Sequence, residues 1–482
     1  MPEENEENIK YKSKKGFYWT FFNQIANNGL SFVVGIILAR LLTTEDYGIT
    51  ALPSIFIALS AVIIGGGFGS ALVRKPELSE KDLSTAFYYC LGTGILMYVC
   101  LFFAAPWIAD FYNTPVLTPL IRVTTLTFLW GALSTPQTII LQRRLDFKTP
   151  ARISITTNII GAAVGVSLAY MGYGLWSLVI MSVVSSFLTL VQKWLAVRWL
   201  PKTGWSKESF RYLWNFGNKI MASAFLDVGY NNLTPLIIGK FYTPADLGIY
   251  NRARGYASLP ATQGTSVIQQ VTFPVLSKVQ NDDELLRNAY RKMLRCSAFV
   301  IFPIMVMLSA LAKPFIVILI TDKWIDSVLL LQIICFSMMW YPIHAINLNL
   351  LWVKGRSDLF LRLEIWKKVL GLTVMACTLP FGLVYFVSAG IASSIICLVI
   401  NTYYTGKLIN VGFTKQMHDL FPTLALSLLI FVIVLTMNQF ITNLWLQLIL
   451  GGTVGVGVYI GAAILLKLSE LDDVKYMLSK RK

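Results

Sequence analysis

Long stretches without any charged side chain alternate along the chain with short basic or Gly-containing segments. The windows 47–73, 83–109 and 327–353 contain no Asp, Glu, Lys or Arg. A helix needs about 20 apolar residues to cross the hydrocarbon of a bilayer, so each window predicts a membrane-spanning helix. Runs such as 424–434 do not alternate in polarity, which argues against the strands of a transmembrane barrel.

Three longer charge-free windows, 153–192, 369–406 and 420–466, are each long enough for two spans. Each contains a short polar or Gly-rich interruption of the kind that joins the helices of a hairpin. Together with segments of mixed polarity, the pattern predicts fourteen spans, numbered here 1 to 14. They start near Phe17, Tyr47, Leu83, Val116, Arg152, Leu175, Trp214, Leu247, Tyr290, Ser327, Leu359, Leu383, Leu420 and Leu444.

The distribution of basic residues supports this count. Cytoplasmic loops of membrane proteins carry an excess of Lys and Arg. With a cytoplasmic N-terminus, all but seven of the 41 Lys and Arg residues fall on the inner side. A missed span would exchange the two sides from that point onward and remove the bias, so both termini are predicted to be cytoplasmic. The seven on the outer side are Arg40, Arg122, Lys240, Arg252, Arg254, Lys313 and Lys323.

Composition narrows the class of protein. Of the 482 residues, 55% are hydrophobic and only 14% are charged, whereas a soluble domain has about 25% charged residues. The net charge of +16 follows from the basic inner loops, which attract anionic lipid headgroups. No basic domain stands apart from the spans, so nucleic acid is not an expected partner. Nucleotide-binding, catalytic and metal-binding motifs are absent from the sequence, and we expect a protein that is not an enzyme.

The chain contains an internal repeat. Residues 37–49 match residues 237–249 at an offset of 200, including Ile, Thr, Asp and Gly at corresponding positions. Six spans separate the copies, so both enter the membrane in the same direction, as in a parallel repeat. We predict an all-α polytopic membrane protein with two parallel six-helix lobes and two appended C-terminal helices. Its segments are a cytoplasmic tail 1–16, an N-lobe 17–200, a cytoplasmic linker 201–213, a C-lobe 214–410, spans 13 and 14 in 411–466, and a cytoplasmic tail 467–482.

Spans 1 and 7 each carry polar side chains at a spacing of four, which keeps them near one helix face. The two stripes coincide under the offset of 200. We interpret them as facing a shared cavity and binding substrate, and hydrogen bonding between helices is the alternative. The stripes comprise Asn23, Asn27 and Ser31 in span 1, and Lys219, Ser223, Asp227 and Asn231 with the neighbouring Asn232 in span 7.

Asp227 is the most unusual member of these stripes. A carboxylate within a span costs about 2.5–3.5 kcal/mol on insertion scales, so it should face water or a cation. We predict that Asp227, and Glu364 in span 11, couple transport to an ion. Lys219 lies about 12 Å away along a helix, too far for a direct ion pair, and a buried structural pair with another residue is the alternative. The candidate partners are Arg122, Arg252 and Arg254.

Basic and aromatic residues are concentrated near the start of span 8. A guanidinium binds phosphate bidentately, and an adjacent aromatic ring can stack on a sugar. The alternative is that these arginines extend to the outer headgroups. The predicted substrate-binding residues here are Arg252, Arg254, Tyr250 and Tyr256, with Arg122 in span 4 as a similar case.

Three further features have mainly structural interpretations. Glu364 and Lys368 are spaced as an i,i+4 ion pair. His344 in span 10 is more typical of a helix-packing hydrogen bond than of a proton relay. The three consecutive glycines at 65–67 lie within span 2 and predict close packing of helices.

Several ordered motifs carry a resemblance to a known family. The arrangement of six, six and two spans, and the turn Leu-Thr-Thr-Glu-Asp-Tyr-Gly at 42–48, resemble the polysaccharide transport family of the MOP flippase superfamily. Residues 248–253, Leu259-Pro260 and 273–277 look like the corresponding stretch of Wzx-type exporters of the colanic-acid-like branch, and more distantly of the lipid II flippase. The turn at 142–147 is also similar to that branch. The resemblance covers essentially the whole chain.

The resemblance implies a flippase in the plasma (cell inner) membrane that works by alternating access. Its substrate would be an oligosaccharide on polyprenyl pyrophosphate, used for lipopolysaccharide, capsule or exopolysaccharide synthesis. It implies cationic residues near the start of span 8, at Arg252 and Arg254. We expect no cofactor, Na⁺ or H⁺ as candidate coupling ions, and a monomer in contact with membrane lipids and, as an option, the glycan polymerase machinery. The alternatives are a MATE-like cation or drug antiporter, a lipid II-type flippase, and a membrane glycosyltransferase or ligase.

Overall fold

A computed structural model describes residues 2–473, with side-chain positions from residue 19 onward except at positions 21, 267 and 271. Within that range the regular structure is helical and contains no strand. Among residues 2–473, ten helical segments are long and apolar enough to cross a membrane. The predicted all-α polytopic membrane fold is therefore confirmed, whereas the count of fourteen spans stays a prediction. From residue 474 the predicted tail 467–482 lies outside the described residues, as does Met1 of the tail 1–16.

By packing, the chain forms two compact units that divide between Gly248 and Ile249. In the first unit, α9 packs between α1 and α10, and α11 packs on α3, α4 and α5. The helices of this unit are α1 (Pro2–Leu41), α2 (Thr44–Ala51), α3 (Ser54–Gly65), α4 (Phe68–Arg74), α5 (Glu80–Phe111), α6 (Leu117–Thr124), α7 (Leu126–Leu133), α8 (Thr135–Arg143), α9 (Lys148–Tyr170), α10 (Trp176–Ala196), α11 (Lys207–Asn231), α12 (Leu233–Phe241) and the start of α13 (Pro244–Ser258).

The second unit is organised around α15, which packs on α17, α18 and α21. A buried cluster that includes Phe299, Ile430, Val434 and Tyr459 joins α15 to the two C-terminal helices. The helices of this unit are the remainder of α13, α14 (Gly264–Lys278), α15 (Asp283–Ala310), α16 (Ala312–Ile320), α17 (Ser327–Met338), α18 (Tyr341–Val353), α19 (Ser357–Thr378), α20 (Leu383–Ile409), α21 (Phe413–Phe440) and α22 (Leu444–Leu465).

The packing division differs from the division suggested by the repeat. The repeat places span 7, which corresponds to α11 and α12, in the C-lobe 214–410. In the structure α11 packs on α3, α4 and α5 and belongs to the first unit. An internal repeat records which segments are alike, whereas a packing unit records which segments touch, so the two divisions need not coincide. The predicted lobes stay a prediction.

Five predicted spans contain breaks that the hydrophobic pattern does not reveal. Span 2 consists of α2 to α4, span 4 of α6 to α8, span 7 of α11 and α12, span 8 of α13 and α14, and span 10 of α17 and α18. Proline accounts for part of this, because its ring removes a backbone donor and clashes with the preceding turn. Pro53 precedes α3, and Pro260 lies in the π-helical turn Leu259–Gln263 that joins α13 to α14.

Candidate functional site

Both copies of the repeated motif form the same helix cap. At the start of α2, the Thr43 backbone N–H and hydroxyl donate to the Asp46 carboxylate at 2.9 and 2.8 Å, and the Asp46 N–H donates to the Thr43 hydroxyl at 3.1 Å. At the start of α13, Thr243 and Asp246 repeat these bonds at 3.0, 2.7 and 3.1 Å. This capping box satisfies backbone donors that a helix N-terminus leaves free. It explains why Thr and Asp recur in the motif.

The glycines of the motif allow α2 and the first turn of α13 to touch through their backbones. A Cβ on Gly48 would overlap the Pro244 carbonyl oxygen, and a Cβ on Gly248 would overlap the Thr44 carbonyl oxygen. The contact is thus reciprocal between the two copies. Only glycine leaves room for such an approach, which gives a structural reason for Gly at both positions.

Asn27 in the span 1 stripe is engaged by another helix. Its side-chain oxygen accepts hydrogen bonds from Asn158 at 2.6 Å and from Ser154 at 3.2 Å, both on α9. Its amide nitrogen donates to the backbone and side-chain oxygens of Asn23 at 2.9 and 2.5 Å. This geometry corresponds to the alternative of hydrogen bonding between helices. A substrate-binding role for Asn27 stays a prediction, and the sequence analysis missed Asn158 as its partner.

The span 7 stripe lies on an accessible side of α11. Lys219, Ser223, Asp227 and Asn231 are all exposed. The Asn231 amide donates to the Asp227 carboxylate at 3.2 Å. The adjacent Asn232 instead donates to the Val228 carbonyl oxygen at 2.8 Å and lies at the junction of α11 and α12. Lys219, Asp227 and Asn231 can therefore meet a ligand on one side of α11, whereas Asn232 contributes to the helix end.

Arg252 lies against an aromatic residue that the sequence analysis did not identify. Its guanidinium carbon is 5.6 Å from the ring centroid of Trp324, which is fully buried. A cation placed over an indole face is held by the ring quadrupole. Arg254 lies two residues further along α13 and is partly buried. No local pattern links positions 252 and 324, so the pairing could be found only in the fold.

Tyr250 and Tyr256 do not offer ring faces in this conformation. Both are buried, and the Tyr256 ring packs edge-on against Phe315 at a centroid distance of 5.4 Å. Stacking on a sugar would require these rings to become exposed. Their predicted role in substrate binding therefore stays a prediction for another conformation.

Arg122 packs on its neighbouring helix. Its Nε donates to the Phe102 carbonyl oxygen at 3.3 Å, and its guanidinium carbon lies 4.2 Å from the Phe102 ring centroid. These contacts connect α6 to α5. They leave the guanidinium partly exposed, and a role in substrate binding stays a prediction.

Glu364 pairs with a different lysine from the one that the spacing suggested. Its carboxylate forms a hydrogen-bonded ion pair with Lys367, three residues along α19, rather than with Lys368. Both spacings place side chains on one helix face, so the choice depends on tertiary surroundings. The carboxylate is partly buried, and ion coupling through Glu364 would require this pair to open.

His344 connects two helices of the second unit. Its two ring nitrogens lie 3.1 Å from the Ser394 hydroxyl and 3.0 Å from the Asn401 amide nitrogen, both on α20. Ser394 donates its own hydrogen to the Ser337 carbonyl oxygen. A neutral ring protonated on Nε2 satisfies this arrangement. The predicted helix-packing hydrogen bond is confirmed.

Comparison with known proteins identifies the family. Residues 37–329, more than half of the 482, match the family model described as "Polysaccharide biosynthesis protein". The teichuronic acid biosynthesis protein TuaB of Bacillus subtilis is 24% identical over 71% of this chain and 72% of its own length. The lipopolysaccharide biosynthesis protein WzxC of Escherichia coli is 23% identical over 75% of this chain and 74% of its own.

Solved structures with similar folds are transporters. The lipid II flippase MurJ in an inward closed conformation has a TM-score of 0.72 at 16% identity, over 94% of this chain and 98% of that chain. An inward-facing multidrug resistance MATE transporter of the MOP superfamily has a TM-score of 0.59 at 14% identity, over 81% of this chain and 96% of its own. At these identities the likeness concerns the fold. The family match, which covers more than half of the chain, shows that this chain belongs to the polysaccharide biosynthesis protein family.

Proposed function

We propose that this protein is a flippase that moves polyprenyl-pyrophosphate-linked oligosaccharide units across the plasma membrane by alternating access. The observation that carries the proposal is the family match, because it covers residues 37–329 and so includes both copies of the capping motif. The names of TuaB and WzxC place those relatives in cell-surface polysaccharide synthesis. The polymer served here would be a lipopolysaccharide, a capsule or an exopolysaccharide.

The chemistry of such a substrate explains the need for a protein. A pyrophosphate and its sugars cannot cross hydrocarbon unaided, because each unpaired polar group costs several kcal/mol there. Arginines bind phosphate in a fixed bidentate geometry. Arg252, packed on Trp324, and Arg254 would hold the pyrophosphate, and the exposed groups Lys219 and Asn231 on α11 would bind sugar hydroxyls. The polyprenyl chain would stay in lipid.

Energy for transport would come from an ion gradient, the membrane potential or consumption of product outside. One charge moving through 100 mV of potential yields about 2.3 kcal/mol. Asp227 is the proposed coupling residue, since its carboxylate is exposed on the same side of α11 as Lys219. We further propose a monomer with both termini in the cytoplasm, with the polymerase of the same pathway as a partner.

The proposal is tested by export of lipid-linked glycan in cells that depend on this protein. Arg252→Ala and Arg254→Ala should each lower surface glycan at least about tenfold, equivalent to about 1.4 kcal/mol of lost binding, with protein levels in the membrane unchanged. Lys415→Ala is the matched control, since it also removes one positive charge, from a side chain whose ammonium donates to the Asn410 carbonyl oxygen at 2.9 Å. Full export by the double arginine variant would refute the anion-binding role.

A cation antiporter is the alternative with the same fold. Acidic cavity residues would then be expected to outnumber basic ones. Extrusion of cationic dyes by this protein, abolished by Asp227→Asn and insensitive to both arginine substitutions, would favour that function over glycan export.

A further inference from the structure

The second half of span 2 contains a bend that two consecutive glycines form. Between α3 and α4, Gly66 and Gly67 have φ values of 54° and 70°, a left-handed conformation that other residues adopt only with strain. The Tyr89 hydroxyl donates to the Ile63 carbonyl oxygen at 3.3 Å, which satisfies a group near the end of α3. The glycine run predicted as close packing is therefore also a bend that redirects α4.

The bend brings α4 against α11. A Cβ on Gly217 would lie 2.5 Å from the Gly66 carbonyl oxygen, and a Cβ on Gly67 would overlap the Gly217 carbonyl oxygen. The two backbones therefore touch in a reciprocal way, as α2 and α13 do at Gly48 and Gly248. Both contacts lie within the first unit.

Aromatic rings surround this backbone contact. Phe68 of α4 stacks on Tyr89 at 4.3 Å between centroids and meets the Trp214 ring edge-on at 6.5 Å. Phe210 stacks on Trp214 at 5.7 Å. Two basic side chains at the end of α4 also contact rings of α11. The Arg74 guanidinium lies 4.9 Å from the centroid of the Phe216 ring. The Lys75 ammonium lies 4.9 Å from the centroid of the Tyr212 ring.

Other contacts attach α4 and the residues that follow it to α8 and α5. Arg143 of α8 donates to the carbonyl oxygens of Leu72 at 2.8 Å, of Lys75, and of Pro76 at 2.9 Å. Lys75 forms a 2.7 Å ion pair with Asp82, which is fully buried at the start of α5. These charge-assisted bonds hold α4, α5 and α8 together more strongly than neutral contacts would. The contact with α11 is formed by aromatic rings, glycine backbones and the basic side chains of Arg74 and Lys75. Next to it, the Ser206 N–H donates to the Thr85 hydroxyl of α5 at 3.1 Å.

We propose that the contact between α4 and α11 is a latch that separates during transport. When closed, it covers the end of the first unit that carries Arg74, Lys75 and Arg143. The latch is defined by Gly66, Gly67, Phe68, Phe210, Trp214 and Gly217. Gly217 lies ten residues before Asp227 on the same helix, about 15 Å along its axis. Lys219, the first exposed residue of the same stripe, lies only two residues after Gly217, so separation at Gly217 would widen access to the stripe. This inference rests on the proposed transport function.

The latch can be tested by thiol labelling, which needs no transport substrate. Ser209 of α11 is buried, and Ser209→Cys, introduced after replacement of the six native cysteines, is a nearly isosteric probe. In inside-out membrane vesicles, an impermeant maleimide should react slowly with this cysteine. Gly217→Ala should raise the rate at least about tenfold, equivalent to a shift of about 1.4 kcal/mol toward the open state, because the added methyl group meets backbone rather than a movable side chain.

The control is Gly229→Ala on the same helix, whose added methyl group would meet only a Leu59 carbon at 3.8 Å. Its labelling rate should equal that of the parent. Trp214→Ala should open the latch by removing a ring instead of adding volume. Its labelling rate tests the latch if the Gly217→Ala protein fails to accumulate in the membrane. Faster labelling together with reduced glycan export supports the latch. Unchanged labelling in both variants overturns it, and so does faster labelling with normal export. If the proposed substrate is wrong, neither the parent nor any variant exports glycan, and the difference in labelling rate between parent and variants persists.

Discussion

Asn27 uses all of its hydrogen-bonding capacity within the described helices. An amide in hydrocarbon that lacks partners is costly, so a polar residue in a span must bind either a ligand or another helix. Asn27 bonds Asn23, Ser154 and Asn158, so this part of the span 1 stripe connects α1 to α9. In the span 7 stripe, the Asn231 amide donates to the Asp227 carboxylate, and both side chains are exposed on α11.

The role of Asn27 can be separated from that of its partner. If the amide pair connects α1 to α9, Asn27→Leu and Asn158→Leu should each lower stability by about 1 kcal/mol, and the double variant should lose less than the sum. Thermal unfolding of the purified protein measures this coupling. A loss of export in Asn27→Leu alone, at unchanged stability, would instead indicate contact with substrate.

Asp227 carries the prediction about energy coupling. Neutralising the carboxylate with Asp227→Asn retains the bond geometry to Asn231 but removes the charge that would attract Na⁺ or H⁺. Export by this variant should no longer respond to ionophores that collapse the ion gradients. Asn231→Asp is a companion variant to Asp227→Asn, because it places a carboxylic acid one helical turn away from position 227. Persistent ion dependence in Asp227→Asn would exclude this residue as the coupling site.

Residue types were predictable at this scale and their partners were not. The cost of a charged or amide group in a span marks Asn27, Asp227 and Glu364 from the sequence. Their partners depend on helix rotation, and Lys367 rather than Lys368 reached Glu364. The intramembrane position of Asn158 was a signal that could have been used.

The ends of single helices follow local rules that can be read from the sequence. The Thr-x-x-Asp pattern at 43–46 and 243–246 forms capping boxes in both copies. The breaks within spans 2, 4, 7, 8 and 10 were not apparent, because an apolar run looks the same whether it is straight or bent. The bend at Gly66 requires two left-handed residues, and glycine permits such a conformation without demanding it.

The crossing of α2 and α13 leads to a prediction about volume. Gly48→Ala would place a methyl group on the Pro244 carbonyl oxygen, and backbone atoms there cannot move without shifting a helix. We expect a loss of at least about 2 kcal/mol of stability from such overpacking, seen as a lower unfolding temperature, and Gly248→Ala should behave alike. Gly29→Ala in α1, where no atom lies within 4 Å, should be neutral. Equal stability of all three variants would contradict the close crossing.

At the scale of the molecule, side-chain bonds hold the C-terminal helix α21 within the second unit. Arg291 of α15 donates from Nε and Nη2 to the Asp419 carboxylate of α21 at 2.7 and 2.5 Å. Gln416 of α21 exchanges hydrogen bonds with Asn347 of α18. Spans 13 and 14 are predicted as an addition because they lie outside the repeat, and these bonds show how α21 is held in the second unit.

This attachment can be measured. Asp419→Asn should lower stability by about 1–2 kcal/mol, a discounted value because the Arg291 side chain is 39% exposed and water screens the pair. Exchange of the two residues should restore part of the loss. Lys292→Ala, which breaks the more exposed pair with Asp473, should change the unfolding temperature little. A larger effect of Lys292→Ala than of Asp419→Asn would show that the Arg291–Asp419 pair does not anchor α21.

Membrane insertion, the repeat and the helix caps follow from sequence alone, because each depends on the composition or spacing of residues within a few turns. The hydrocarbon imposes its length and polarity limits on every segment separately. The ring beneath Arg252, the partners of Asn27, the placement of span 7 in the first unit and the approach of Gly217 to Gly66 arise from residues tens to hundreds of positions apart. Packing selects these contacts by shape, and shape exists only once the helices have been assembled.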